Sequence, residues 1–363
     1  MRLLKSLPKM AVLAALLVAP SAFATPYDTL TSIAGTYNMF LLGNLGTASS
    51  PFTSDAVGSV AVAGNAYING ASIGSSNSNA SLIVGGNLVQ NGGTDAGNVF
   101  VGGSSATLSG GATVNGSITL SAANSTFTSG DATSPSNIYV TPTTTVHDPS
   151  YFSTPKTTGA PATPLDVYGS STDIINASKS LSALTGATNI SSSGGTITIT
   201  LTNNGMNVID LSMLSGSTIT GINIVNAAGV TPTGLIINVA GDNLNFNGGT
   251  YNLGTLSDGQ VLFNFGNATS INMTSLAFNG TLLAPLATVD FTTGQLNGAL
   301  IANNYYGAGE LHSDPFTDTL PTYTGTGGTT VATPEPGTVA LFGAGLIVLA
   351  LASRRRMMPA SRS

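Results

Sequence analysis

What most constrains this chain is a rhythm of short apolar runs with period two, closed again and again by glycine. Val60/Val62, Leu82/Val84, Val99/Val101 and Ile118/Leu120 mark the first half. Ile197/Ile199/Leu201, Ile222/Ile224, Ile237/Val239, Leu244/Phe246, Val289/Phe291 and Leu300 mark the second. Alternation of this kind places every second side chain on one face of a strand. Between the runs stand Asn69-Gly70, Asn91-Gly92, Asn115-Gly116, Asn247-Gly248, Asn279-Gly280 and Asn297-Gly298, pairs that readily take positive φ and turn the chain. Turn chemistry alone fits a sandwich as well as a solenoid. Repetition favours the solenoid. FNGTLLAP at 278–285 returns as LNGALIAN at 296–303, 18 residues later, and Ile271 and Met273 return as Val289 and Phe291 at the same offset. A fixed short interval is what stacked coils need to bring equivalent side chains back to one interior. Phe278 with Leu296, and Leu282 with Leu300, are therefore expected as inward neighbours on adjacent coils.

The rhythm breaks at 166–185, where Ile174, Ala177, Leu181 and Leu184 fall at helical spacing. One long side helix is expected there, capped by Thr172 or Asp173 and ended by Gly186. The Pro- and Thr-rich segment 141–164 reads as an ordered crossing loop. Residues 321–333, without apolar periodicity, read as a flexible tether.

Both termini carry addresses. Arg2, Lys5 and Lys9, then the apolar residues 10–19 and the small residues Ala22 and Ala24, compose a secretory signal peptide over 1–24, cut by signal peptidase after Ala24. At the other end, Pro334-Glu335-Pro336 precedes an apolar run over 338–353 and the cluster Arg354-Arg355-Arg356. The run prefers lipid, and the arginines stay cytoplasmic. Sixteen helical residues reach roughly 24 Å, short of a hydrocarbon core of about 30 Å, which suits a temporary transmembrane anchor. The tail over 334–363 resembles the PEP-CTERM sorting signal of Gram-negative bacteria. That resemblance implies an exosortase-type processing partner that recognises Pro334, Glu335 and Pro336.

Between these signals the body, 25–320, is acidic and nearly free of cations. Residues 25–333 hold Lys156 and Lys179 against thirteen Asp and Glu310, a formal charge of −12. A polyanion without arginine cannot neutralise phosphates, which excludes nucleic acid as a partner. There is no cysteine, hence no disulfide framework and no thiolate chemistry.

Candidate chemistry is sparse. Glycosidic hydrolysis needs two carboxylates about 5 to 9.5 Å apart, and the acidic residues here are mostly solitary in sequence. Lyase chemistry needs a cation at the substrate, but Lys156 and Lys179 fall in the loop and the helix. Glu310 and His312 share a strand face and could form an acid/base pair. One histidine and one carboxylate are too few for zinc. The preferred reading is a structural clasp closing the last rung, with His312 bonded to neighbouring backbone. His147, beside Asp148, reads as a cap or turn. Thr196, Thr198 and Thr200 compose a hydroxyl row on one face, an ordinary strand pattern that would also suit a flat binding surface. No catalytic residue, metal site or cofactor is expected.

The body can also be placed by resemblance. YNMFLLGNL (37–45), SDAVGSVAVAGNA (54–66), LIVGGNL (82–88), VLFNFGNATSINM, FNGTLLAPLATV and GAGELH resemble the choice-of-anchor A family, over 35–316. That family joins exported bacterial adhesive domains, related to β-helical ice-binding-like proteins with a long side helix, to different C-terminal anchors. Ala63-Gly64-Asn65 departs from its usual Gly-Gly-Asn. The resemblance implies a mainly β chain, a parallel right-handed β-helix with one side helix. The expected protein is non-enzymatic, crosses the inner membrane, and ends in the envelope or exopolysaccharide matrix with an adhesive or biofilm role, its partners exopolysaccharide or a host or neighbouring surface. The rival expectation is an ice- or glycan-binding module, and the third a polysaccharide-active enzyme.

Overall fold

The computed structural model describes residues 25–321, except 76–79, 131–137, 141–144, 148–155, 159–166, 185, 187–188, 212–217 and 250. The expected signal peptide, the expected tether beyond Pro321 and the expected sorting tail, with Ala22, Ala24, Pro334 to Pro336 and Arg354 to Arg356, lie outside the described residues. Among the described residues no helix is long and apolar enough to cross a membrane. The described residues are mainly β, with parallel pairing consistent with a solenoid and with two α-helices.

The longest sheet orders its strands in a way the chain order does not suggest. From one end it runs Lys156–Thr158, Ile138–Val140, Ile118–Leu120, Asn98–Val101, Ala80–Val84, Ser59–Val62 and Tyr37–Leu41. It continues through Leu300–Gly307, Thr281–Asn297, Val261–Asn264, Pro232–Val239 and Gly205–Leu211. The first strand thus sits mid-stack, paired with Ser59–Val62 on one side and with Leu300–Gly307 on the other, Met39 opposite Leu300 and Leu41 opposite Ala302. The chain builds outward from this seam, crosses through a helix, and returns from the far end to meet its own beginning.

Two further walls complete the coils. Ala66–Asn69, Leu88–Asn91, Ser105–Ser109, Thr126–Ser129 and Thr145–His147 make the second in the first half, and Ser72–Ile73, Thr94–Asp95 and Thr113–Val114 the third. At the seam these walls continue as single bridges: Leu45 between Ala66 and Tyr305, and Ala56 between Ile73 and Leu311. Inward residues of all three walls share one core. The 18-residue repeat reports stacked coils, since Phe278 pairs with Leu296, Leu282 with Leu300, Ile271 with Val289 and Met273 with Phe291. All eight are buried.

The first wall differs from the others in being apolar on both faces. Phe40, Ala61, Ile83, Ile236, Leu262, Leu283 and Ile301 point away from the interior into a second core beneath two helices. This explains why runs such as Leu82-Ile83-Val84 and Leu282-Leu283-Ala284 are continuously apolar, as strands buried on both sides are. The expected helix spans Val167–Ser182 (α2), with Ile174, Ala177 and Leu181 buried on that wall. Thr172 and Asp173 lie inside α2, so neither caps it. Gly186 lies past its end, where its N–H donates to Asp210 Oδ2 at 2.9 Å.

Three features correct the expected picture. A further helix, Pro26–Thr36 (α1), packs beside α2; its N-terminus is a capping box in which the Asp28 N–H donates to Thr25 Oγ1 and Asp28 Oδ2 accepts the Thr25 N–H. Ile190–Ser193 pairs antiparallel with Thr196–Leu201, because Gly194 and Gly195 at φ 57° and 83° close a hairpin. The crossing segment contains two strands, Thr145–His147 and Lys156–Thr158, which place His147 opposite Thr128 and Lys156 opposite Ile138. His147 is thus neither a cap nor a turn.

Candidate functional site

The Gly-Asn turns are built for stacking. Asn44 N–H donates to Asn304 Oδ1, Asn65 N–H to Asn44 Oδ1, Asn87 N–H to Asn65 Oδ1 and Ser105 N–H to Asn87 Oδ1, at 2.8 to 2.9 Å. Each asparagine side chain therefore replaces the backbone acceptor that its turn has removed. The glycine before Asn44, Asn65 and Asn87 leaves room: a Cβ on Gly64 would lie 2.7 Å from Gly43 O, and one on Gly86 2.6 Å from Gly64 O. The turn at Ala63 follows the same plan, with Ala63 buried in the second core. These motifs cradle neighbouring coils rather than phosphate.

Glu310, Leu311 and His312 compose a strand paired with the end of Thr281–Asn297. Leu311 points inward, so Glu310 and His312 share the outer face. Asn297 opposes Asn279, and Asn297 Nδ2 donates to Asn279 Oδ1 at 2.7 Å. The amide direction turns Asn297 Oδ1 toward His312 Nδ1, 2.9 Å away, so Nδ1 is the donor. His312 Nε2 lies 3.4 Å from Glu310 Oε2, with the side chains 39% and 55% exposed. The imidazole thus bonds side chains, whereas the sequence suggested backbone. Among the described residues no group of three or more His, Cys, Asp or Glu gathers as metal ligands would.

Sequence reasoning missed the residue that ties this region together. Asn38, buried at the seam, donates from Nδ2 to Gly298 O at 2.8 Å and to His312 O at 3.0 Å, while its Oδ1 accepts the Gly58 N–H at 3.1 Å. One amide thereby joins the first strand, the entry to the next coil and the last two turns. Alternation could not reveal it, because in YNMFLL it looks like one more outward polar residue.

Also missed was a polar pair inside the solenoid. Gln90 and Asp95 are both fully buried, and none of their side-chain N and O atoms has an aligned hydrogen bond. Burial pushes the Asp95 carboxyl up to about 7, partly offset by the Gln90 amide beside it.

Among the described residues, two of the outer surfaces open to a ligand bear on the reading. One is the sheet of Ile190–Ser193, Thr196–Leu201, Gly221–Asn226 and Tyr251–Asn252, where Thr196, Thr198 and Thr200 alternate with buried Ile197, Ile199 and Leu201. Asn223 opposes Thr198, and Asn252 Nδ2 donates to Asn223 Oδ1 at 3.0 Å. The other is a groove of about 380 Å³ between the turn at 47–51 and the second wall, lined by Tyr67, Val89, Asn69 and Asn91.

A family described as "Putative Ice-binding-like adhesive domain" matches residues 30–313, and the PEP-CTERM protein-sorting motif matches residues 332–356. No curated protein and no solved structure matches the chain.

Proposed function

We propose, from the premise that this chain belongs to the ice-binding-like adhesive domain family, that it works as a non-enzymatic adhesin of the cell surface or exopolysaccharide matrix. Its body is a right-handed parallel β-helix. Signal peptidase cuts after Ala24, the apolar run 338–353 holds the chain briefly in the inner membrane, and an exosortase-type enzyme processes the tail at Pro334-Glu335-Pro336. The observation that carries this reading is the pairing of an adhesive-type domain over 30–313 with a sorting motif over 332–356. Export of a body with a formal charge of −12 and two lysines suits contact with neutral sugars better than with anionic polymers. Glu310 and His312 help close the last rung.

The test is a strain lacking the chain, complemented either with the parent or with a variant in which Arg354, Arg355 and Arg356 are all Ser. Fractionation measures surface-held protein, and attachment to a polysaccharide-coated surface measures adhesion. Only the parent restores both. Normal sorting of the triple variant would remove the topological argument, and attachment unchanged by loss of the chain would remove the adhesive one.

A second reading, recognition of ice or a glycan by an outer solenoid face, is favoured by the Thr196, Thr198 and Thr200 row standing clear of a buried Ile/Leu row. Thermal hysteresis of the parent, lost on replacing Thr198 with a bulky residue, would support its ice form.

A further inference from the structure

Resting on the reading that the body meets neutral sugars, we propose that the groove beside Tyr67 binds a neutral, β-linked hexose polysaccharide, one sugar ring stacking on the phenol. The floor is two residues of adjacent coils in register: Tyr67, half-buried, and Val89, 39% exposed. Beside them Asn69 opposes Asn91, whose Nδ2 donates to Asn69 Oδ1 at 3.0 Å. The wall is the turn at Thr47 to Pro51, closed by Thr47 N–H to Ser50 O at 2.9 Å and Ser50 N–H to Thr47 Oγ1 at 3.0 Å. That turn is fixed to the floor from behind. Phe52 is fully buried, its N–H donates to Tyr67 O, and its carbonyl accepts the Asn69 N–H. The groove is therefore formed before any ligand arrives.

The lining selects the ligand. It holds an aromatic ring, an exposed aliphatic side chain, two amides and the hydroxyls of Thr47 and Tyr67, but no carboxylate, lysine, arginine or histidine. A β-linked hexopyranose has an apolar C–H face that suits a ring and an edge of hydroxyls that suits amides with spare donors and acceptors. The ladder bond uses only one of the two N–H groups of Asn91. A uronate or phosphate polymer would find no cation here and would approach a body of formal charge −12. The surface also continues as a track: Thr107 and Thr128 follow Tyr67 and Val89 in register, one coil at a time, at the ~4.8 Å strand spacing. A polymer running along the stack thus meets one outward side chain per coil at a regular spacing, whereas the concave Tyr67 end does not suit a planar lattice.

The experiment uses the full chain in detergent, titrated with cellohexaose, chitohexaose and an alginate hexauronate. Because the chain has no tryptophan, Tyr67→Trp places a lone indole in the groove, whose fluorescence should change on binding either neutral sugar. Tyr67→Ala should weaken binding at least tenfold without lowering the melting temperature. Should Tyr67→Ala fold poorly, Val89→Arg, at an exposed position, should block the groove and abolish binding. Undiminished binding by these variants would overturn this site while leaving a sugar-binding body intact. No binding of either neutral hexasaccharide by the parent below roughly 1 mM would overturn the glycan reading itself. Tighter binding of the hexauronate would overturn the charge argument.

Discussion

Glycines in this chain serve two different ends, and single substitutions separate them. Gly70 sits at φ 76° with open space where a Cβ would project, so it supplies conformation alone. Gly86 has ordinary φ but no room, since a Cβ would fall 2.6 Å from Gly64 O. Gly70→Asn should be nearly neutral, because Asn tolerates the left-handed region. Gly86→Asn should cost about 2 kcal/mol or more through overpacking against backbone, measured by urea unfolding. The Asn-Gly pairs were legible as turns, and five of their six glycines do have positive φ. Gly116 is the exception: its Cβ would meet Gly97 C at 2.5 Å, so it is there for close approach. Sequence shows a glycine but not which of the two it is. Asp95 was illegible altogether, because Thr94-Asp95 looks like a solvated turn until the third wall turns it inward. Its carboxyl, raised from an ordinary value of 3.8 to about 7, keeps its proton in the folded state while the unfolded chain releases it. Stability should therefore fall as pH rises from about 4 to 7 and level off above. The slope is on the order of 1 kcal/mol per pH unit. Asp95→Asn should flatten that dependence, as thermal melts across the range would show; an unchanged slope would assign it to another group.

At the scale of elements, α2 is held by buried amides as well as by its apolar stripe. Asn264 Nδ2 donates to Ser178 O and to Asn238 Oδ1, both at 2.9 Å; Ser178 Oγ donates to Asn264 Oδ1 at 2.6 Å; and Asn238 Nδ2 donates to Leu181 O at 2.8 Å. Asn264→Ala would orphan several of these groups together. We expect a loss of about 2–3 kcal/mol by denaturant unfolding, more than Asn272→Ala should cost on the exposed face. The helix itself was readable from Ile174, Ala177 and Leu181, since the 3.6 period stands out against a background of period two. Its amide anchors were not, because Asn238 lies within Pro232–Val239 and Asn264 ends Val261–Asn264, where each looks like one more outward polar residue of a strand. Helix α1 is short, and its start signals, Thr25 followed by Pro26 and by Asp28 three residues later, adjoin the expected signal-peptide cut. The groove at Tyr67 was equally hidden, because it needs a turn from one coil and a floor from the next two.

For the whole molecule, the stacked walls could be inferred from the 18-residue repeat, but the order of the stack could not. The partners Met39 and Leu300 share no repeat, and nothing local announces that the first strand lies in the middle. Asn38 is the residue to test there. Asn38→Ala removes two donors and an acceptor from buried backbone at the seam. It should cost about 2–4 kcal/mol and exceed the effect of His312→Ala, whose half-exposed ring can exchange its partners for water; a smaller loss for Asn38→Ala would mean that the seam closes without its latch. The seam also bears on timing. Synthesis delivers Tyr37–Leu41 first and Leu300–Gly307 near the end, so one edge of the earliest strand waits, unpaired, until nearly the whole body has been made. Until then the half-built stack offers a neighbouring chain a ready template for pairing, and helix α1, folding directly ahead of that strand, is the nearest element that could shield it.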